Sequence, residues 1–379
     1  MKPLPSIKDI KNLKGKRVVL RLDFNVPIKN GKITETMRID RAMPTIQYLV
    51  SKKAKVVILS HIGKDASLSL KPVVRYLNKT MNVGFVPDFR AEQARMVVDN
   101  LPDGGVVIFE NLRLDDRELL NDRDFAKYLA SFGDVYVNDA FAVSHRAHAS
   151  VVGITKYLPS YSGFLIVDEI KNLSIALNPK HPFLFVLGGA KFDTKMPLLK
   201  KFLKIADKVF VGGILANDFL QDVGFEVGKS AVDSRVANLT PLLKKGNIIL
   251  PTDVVVRNEG VKVVKHVDEL VREDSIMDVG PETIKDLVPI IQKAKLIVWN
   301  GPLGYYEEGF DKGTIALLKV IAESKATSII GGGDTAVIVE KLGISDKISF
   351  VSTGGGATLD YLASGTLPGI KAIINCRKR

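Results

Sequence analysis

The stretch SIIGGGDTAVIVEKL, Ser328 to Leu342, runs from an apolar segment through three glycines into a helical pattern. Strand, glycine turn and helix in that order form the repeating unit of an α/β sheet. Gly331, Gly332 and Gly333 let the backbone approach a phosphate closely, and the helix start behind them offers free N–H groups to an anion. The next residue is Asp334, an acid where a Walker loop carries lysine. An acid at that lip suits a phosphate arriving with a metal, because Mg²⁺ is held by one or two carboxylates together with phosphate oxygens and water. Capping the helix is the plainer role for the same carboxylate.

The same unit recurs along the chain. RVVLRLDF, AKVVILS, GGVVIFE and DVYVNDAF in the first part read as buried parallel strands, as do FLFVLGG, KVFVGG, NIILPTDVVV and LIVWNG in the second. Segments such as MRIDRAMPTIQYLVSK and MPLLKKFLKIADK between them have apolar residues at helical spacing. The class is α/β with parallel sheets. A closed barrel would need eight units in one ring, and two consecutive open sheets suit the length equally well. Gly153, Pro159 and Gly163 punctuate a boundary, and the helical pattern that follows would make a strut between domains. Gly365 to Gly369 mark a second break, and the tail beyond could return to the first domain.

Composition narrows the class. The chain has 379 residues, 46% hydrophobic and 25% charged, enough for two domains each with its own core. No apolar run approaches the roughly 18 to 20 residues needed to cross a bilayer, and the basic start lacks a signal peptide's apolar core. A cytoplasmic protein is expected. Cys376 is the single cysteine, which excludes intrachain disulfides and cysteine-based metal sites. The net charge is +12, and residues 1–150 are the more basic part, with 25 Lys and Arg against 17 Asp and Glu. There is no long basic block, zinc-finger spacing or aromatic-rich basic stripe, so we expect an anionic metabolite and no nucleic acid.

In open α/β sheets, ligands sit beyond the carboxyl ends of the strands. In the first part those ends are polar and mostly basic. RLDFNVP contributes Arg21, Asp23 and Asn25; SHIGK contributes His61 and Lys64; ENLR contributes Arg113. NDAFAVSHRAHAS contributes His145, Arg146 and His148, while Arg38 and Arg41 precede a helix. One such arginine would be an ordinary surface residue. Several cations at four consecutive strand ends make an oxyanion site, since a guanidinium grips phosphate or carboxylate with a planar fork. Each histidine could equally be structural.

In the second part the strand ends are rich in glycine. Gly188 and Gly189 lead to Lys191 and Lys195, which share a face if the segment is helical. Gly212 and Gly213 follow the next strand, then Asn300, Gly301, Pro302 and Glu307, then Asp334 and Thr335, then Gly354 to Gly356. One glycine turn is a connector; five at successive strand ends favour a nucleotide crevice. Lys191 and Lys195 can supply the cations missing from the GGGDTA turn. GFEVGKS, Gly224 to Ser230, is not a Walker loop, because it has three residues between its glycines where four are needed. There is no GxGxxG after the first strand, no GxSxG elbow and no HExxH helix.

RLDFNVP, SHIGK, ENLR, HRAHASVVG, LGGAK, VWNGPLGYYE, GGGDTA and STGGGA stand in the order found in the phosphoglycerate kinase family. The chain resembles that family from about Arg17 to Gly369, and its short linkers and variant motifs suggest an archaeal type. The resemblance implies two doubly wound parallel-sheet domains joined by a long helix, with a cleft between them. Residues 1–158 would bind 3-phosphoglycerate or 1,3-bisphosphoglycerate, with the tail 366–379 packing back on them. Residues 159–365 would bind ADP or ATP with Mg²⁺. The implied reaction is reversible, direct in-line phosphoryl transfer on hinge closure, by a monomer.

The resemblance also implies roles. Asp23, Asn25, Arg38, His61, Lys64, Arg113 and Arg146 would bind the substrate, with Arg38 poised at the transferring group. Lys191 would follow that group, and Gly354 and Gly355 would open the helix facing it. Lys195, Asn300, Glu307, Gly331, Gly332, Gly333, Asp334 and Thr335 would bind the nucleotide, with Glu307 at the ribose and Asp334 on Mg²⁺. A phosphoryl transition state spreads charge over three equatorial oxygens, so cations and N–H groups do the catalysis. The carboxylate is already anionic and needs no general base. Two departures stand out: Lys64 where the family has arginine, and Ile214 where it has a third glycine.

Overall fold

The computed structural model describes residues 4–64, 66–190, 192–233 and 238–376. The chain divides into two compact units, Met1–Lys171 with Thr366–Arg379, and Asn172–Gly365. The division falls within the 12-residue helix Phe164–Ile175.

The first unit is built on six parallel strands. Across the sheet they run Val83–Val86, Val106–Phe109, Lys55–Leu59, Arg17–Arg21, Val135–Asn138 and Ser160–Ser162. Side chains of a strand alternate between faces, and here both faces are covered. Val18, Leu20, Val56 and Ile58 enter one core, whereas Val19, Val57, Leu59 and Phe109 enter the other. That two-sided burial is why these strands read as unbroken apolar runs. The chain winds outward from Arg17–Arg21 in one direction, then returns to place Val135–Asn138 on its other side. The crevice of such a sheet opens between those two strands. Behind it, the helix Pro368–Cys376 backs the turn after Val135–Asn138, with the Gly369 N–H donating to Ser144 O at 2.9 Å.

The second unit repeats the plan. Its parallel order is Ile248–Ile249, Lys208–Val211, Phe183–Leu187, Leu296–Asn300, Thr327–Gly331 and Phe350–Val351. The switch point lies between Phe183–Leu187 and Leu296–Asn300, so Gly188 and Gly301 face each other there. One expected strand behaves differently. NIILPTDVVV is not a single parallel strand: Ile248–Ile249 ends before Pro251, and Asp253–Asn258 joins an antiparallel sheet with Val261–His266 and Ser275–Val279. Proline cannot donate to a ladder, so the run breaks there and its second half pairs elsewhere.

Candidate active site

At the first switch point, Arg21 ends its strand and is 1% exposed. Its Nε donates to Ser150 Oγ at 2.8 Å, and Nη2 lies 3.4 Å from His61 Nδ1. A guanidinium only donates, so Nδ1 is the acceptor and Nε2 carries the proton. Asp23, two residues on, is buried and accepts from Arg38 Nη1 at 2.7 Å. Arg38 stands in the first turn of the helix Met37–Ser51 and also donates to Asn25 O at 3.2 Å. Asn25 Oδ1 accepts the Gly63 N–H at 2.9 Å, and Arg113 donates to Gly63 O. These bonds draw the SHIGK loop onto the ends of two other strands. Arg146 is exposed, with Nε 3.2 Å from His145 Nε2, and Lys64 is exposed beside the fixed Gly63.

The electrostatics show how close these cations lie. Burial, reinforced by Arg21, Arg113 and Arg146 and opposed by Asp23, pulls His61 down to about 3. Burial and the same three arginines bring His148 to about 4. Burial, then Arg146 and Arg21, also lowers Arg113. Burial would raise Asp23, but Arg38, His61 and Arg21 outweigh it and hold the carboxyl below its ordinary range. Neutral imidazoles among crowded guanidiniums offer N–H donors and positive potential to an anion. Arg21 belongs to this set, although the resemblance assigns it no role.

At the second switch point the backbone itself is the building material. A Cβ on Gly188 would collide with Gly301 O and Pro302 O, and one on Gly213 would lie 2.6 Å from Gly189 N. Three strand-end turns thus pack backbone on backbone, which only glycine permits. Gly213 has φ +63°, so Ile214 beside it leaves the need for glycine intact. Lys195 is buried against this floor, with Nζ 3.1 Å from where a Gly301 Cβ would stand. Lys191 lies outside the described residues.

The GGGDTA turn borders that floor. Gly332 has φ +99°, with Gly301 N 3.1 Å from its would-be Cβ. Asn300 Nδ2 and Thr335 Oγ1 are buried without hydrogen-bond partners among the described residues. Such groups are costly unless something completes them. Gly333 and Gly355 each face open space, and Gly355 precedes the helix Gly356–Ser364. Gly354 N donates to Ser352 Oγ at 3.2 Å, fixing that turn. A pocket of about 600 Å³ adjoins the floor, walled by Leu220, Met277, Val279, Pro302 and Leu303 and rimmed by Glu307 and Asp334. Its apolar body and acidic rim suit a flat base and a polyhydroxyl group. Tyr306 donates to Asp334 Oδ1 at 3.2 Å. The strand-end rule could not have found Leu220 or Met277, since both lie away from glycine turns.

A match to the phosphoglycerate kinase family spans residues 7–365. The chain belongs to the phosphoglycerate kinase family. It is 41% identical over 392 aligned residues to the phosphoglycerate kinase of Wolbachia sp. subsp. Drosophila simulans, covering 98% of each. It is 43% identical over 396 to that of Thermosipho africanus, again covering 98% of each. Among solved structures it is similar to phosphoglycerate kinase from Coxiella burnetii, with TM-score 0.84, 38% identity, and 98% and 99% of the two chains covered. The Pyrococcus horikoshii OT3 phosphoglycerate kinase gives TM-score 0.88 at 33% identity, covering 99% and 100%. Phosphoglycerate kinases are transferases that move a phosphoryl group reversibly between 1,3-bisphosphoglycerate and ADP. Among the described residues, no helix is long and apolar enough to cross a membrane.

Proposed function

We propose that this chain performs that transfer with the first unit holding 3-phosphoglycerate or 1,3-bisphosphoglycerate and the second holding ADP or ATP. The observation that carries the reading is the crowding of Arg21, Arg113 and Arg146 around a neutral His61 at one switch point. Crowding these cations costs stability that Asp23 and Glu118 only partly offset, and a bound anion would relieve the remainder. Asp23, Asn25 and Arg38 frame the substrate, His61, Arg113 and Arg146 bind its charged groups, and Lys64 adds a point charge without a bidentate fork.

In the direction of ATP use, a carboxylate oxygen of 3-phosphoglycerate attacks the γ-phosphorus in line. The bond from phosphorus to the β–γ bridging oxygen breaks, and ADP leaves with that electron pair. No proton moves. Arg38 neutralises charge on the transferring group from one side. Lys191, together with the N–H group at Gly355, does so from the other, the Gly354 N–H being given to Ser352 Oγ to hold the turn. Lys195, Asn300, Gly331, Gly332, Gly333 and Thr335 hold the phosphates, and Glu307 the ribose. Asp334 is the residue that fits Mg²⁺: a hard carboxylate oxygen beside orphaned phosphate-site donors. The ion supplies charge neutralisation on the nucleotide phosphates. Closure on the reactants excludes water, which would otherwise hydrolyse the acyl phosphate. The partners are these small molecules alone, and the chain acts as a cytoplasmic monomer. A single cysteine and the glycolytic family support that setting.

The test is ATP-dependent phosphorylation of 3-phosphoglycerate, coupled to NADH oxidation through glyceraldehyde-3-phosphate dehydrogenase. Turnover by the native chain supports the reading. Mg-ATP binding without turnover would overturn it.

A further inference from the structure

The substrate cluster hangs on a buried relay. Glu118 is 1% exposed. Its Oε2 accepts the Ser150 N–H at 2.9 Å, and its Oε1 accepts the Ser150 hydroxyl at 2.5 Å. Ser150 Oγ in turn accepts from Arg21 Nε at 2.8 Å, and Arg21 Nη2 reaches His61 Nδ1. The Ala149 N–H donates to Glu118 O at 2.9 Å, and Tyr136 OH donates to Ser150 O at 2.6 Å. One carboxylate therefore pins both ends of the cluster. Through Ser150 Oγ it orients Arg21, and through the Ser150 N–H, with the Glu118 main-chain O holding the Ala149 N–H, it fixes the turn bearing His145, Arg146 and His148.

A hydroxyl that accepts from a guanidinium and donates to a carboxylate has a fixed proton direction. That direction holds the guanidinium in one plane. Arg21, Arg113 and Arg146 repel one another, so without such an anchor an empty cluster would spread. We infer that Glu118 and Ser150 are positioning residues that preorganise the cluster for its anion. The inference rests on the reading of this cluster as the phosphoglycerate site.

Glu118→Gln keeps the shape but cannot accept at both oxygens. Ser150→Ala removes the bridge. Calorimetry with 3-phosphoglycerate and with Mg-ADP, and steady-state kinetics, are run on the full chain, the two variants and the double variant. Melting with Mg-ADP present checks that each is folded. Each single variant is expected to raise the Kd and KM for 3-phosphoglycerate about tenfold, the size of a lost bond to a charged group. Nucleotide affinity stays unchanged and kcat at saturation stays within about twofold. The double variant should be no worse than the worse single, because both cut one relay. Variants that bind 3-phosphoglycerate like wild type, lose nucleotide affinity equally, or combine multiplicatively would overturn the positioning role alone. A wild-type chain that binds Mg-ADP but takes up no 3-phosphoglycerate would overturn the site reading and this inference with it.

Discussion

Arg38 Nη1 stands 2.7 Å from Asp23 Oδ2, pairing the first turn of a helix with a strand end 15 residues earlier. The carboxylate is buried and the guanidinium side chain is 27% exposed, so Asp23 anchors while Arg38 reaches outward. Both of its hydrogen bonds use Nη1, and Nη2 donates to none of the described residues. Arg38→Ala should therefore cut kcat by about 10² to 10³, the typical cost of losing one donor to a developing charge. Mg-ADP affinity should be unchanged. Steady-state kinetics with nucleotide calorimetry check this, and equal losses of affinity and rate would contradict the role.

The histidines make acid stability legible. His61 and His148 are held to about 3 and about 4 in the folded chain, below the ordinary 6.5. Between those values and 6.5 the unfolded chain binds more protons, so stability falls as pH drops through that window. Asp23 acts in the same direction at lower pH: its depressed folded value gives stability above 3.8 that is lost as pH falls through that folded value. Melting temperature should decline from pH 6.5 to 4, and His61→Gln should flatten the decline. An unaltered slope in the variant would remove His61 from the cause.

Asp139 has the opposite sign. Burial raises its carboxyl to about 7, against weaker opposition from Thr45 and the Ile166 and Leu165 N–H groups. Its Oδ1 accepts the Ile166 N–H at 3.0 Å in the first turn of the helix Phe164–Ile175, while Oδ2 has no hydrogen-bond partner among the described residues. The folded state holds the extra proton between 3.8 and 7, so stability falls as pH rises through that window. Asp139→Asn keeps the acceptor and removes the titration. It should raise the melting temperature at pH 8 by roughly 2–4 °C or more and have little effect at pH 4. A variant less stable than wild type at pH 8 would contradict this.

What could be read beforehand was what is local. Strand, glycine turn and helix are neighbours in sequence, so SIIGGGDTA declared its local fold. Ile214 obscured Gly213, because the reason for that glycine is Gly189, on another strand end. Glu118 and Ser150 were silent because they meet across 32 residues and carry no motif. Asp253–Asn258 reads as a parallel strand because a continuous apolar run looks alike in a parallel core and in a small antiparallel sheet.

Gly213→Ala tests the backbone floor. Its left-handed φ of +63° already disfavours a side chain, and the new methyl would meet Gly189 N and O at 2.6 and 2.8 Å. Backbone cannot yield as a flexible side chain can. We expect a loss of about 1–3 kcal/mol in stability, the cost of a strained backbone residue. The Mg-ADP affinity should fall while 3-phosphoglycerate binding is retained. Thermal melts and calorimetry with each ligand give the answer, and equal weakening of both ligands would count against a floor specific to the nucleotide.

Asp334 and Tyr306 test the metal assignment. The Tyr306 hydroxyl donates to one carboxylate oxygen, Oδ1, and so orients the group without neutralising it. Burial, then Asp334 and Glu307, raises the phenol to about 12, so it remains a donor throughout the neutral range. Asp334→Ala should bring ADP affinity in Mg²⁺ down to its value in EDTA, a fall of about 10-fold for one lost charged ligand. Tyr306→Phe should weaken the Mg²⁺ dependence by less, and leave metal-free ADP binding alone. Calorimetric titration of ADP at several Mg²⁺ concentrations separates the cases. If Asp334→Ala keeps the wild-type Mg²⁺ dependence, the carboxylate is a helix-terminal acid and the metal is held by the nucleotide phosphates without it.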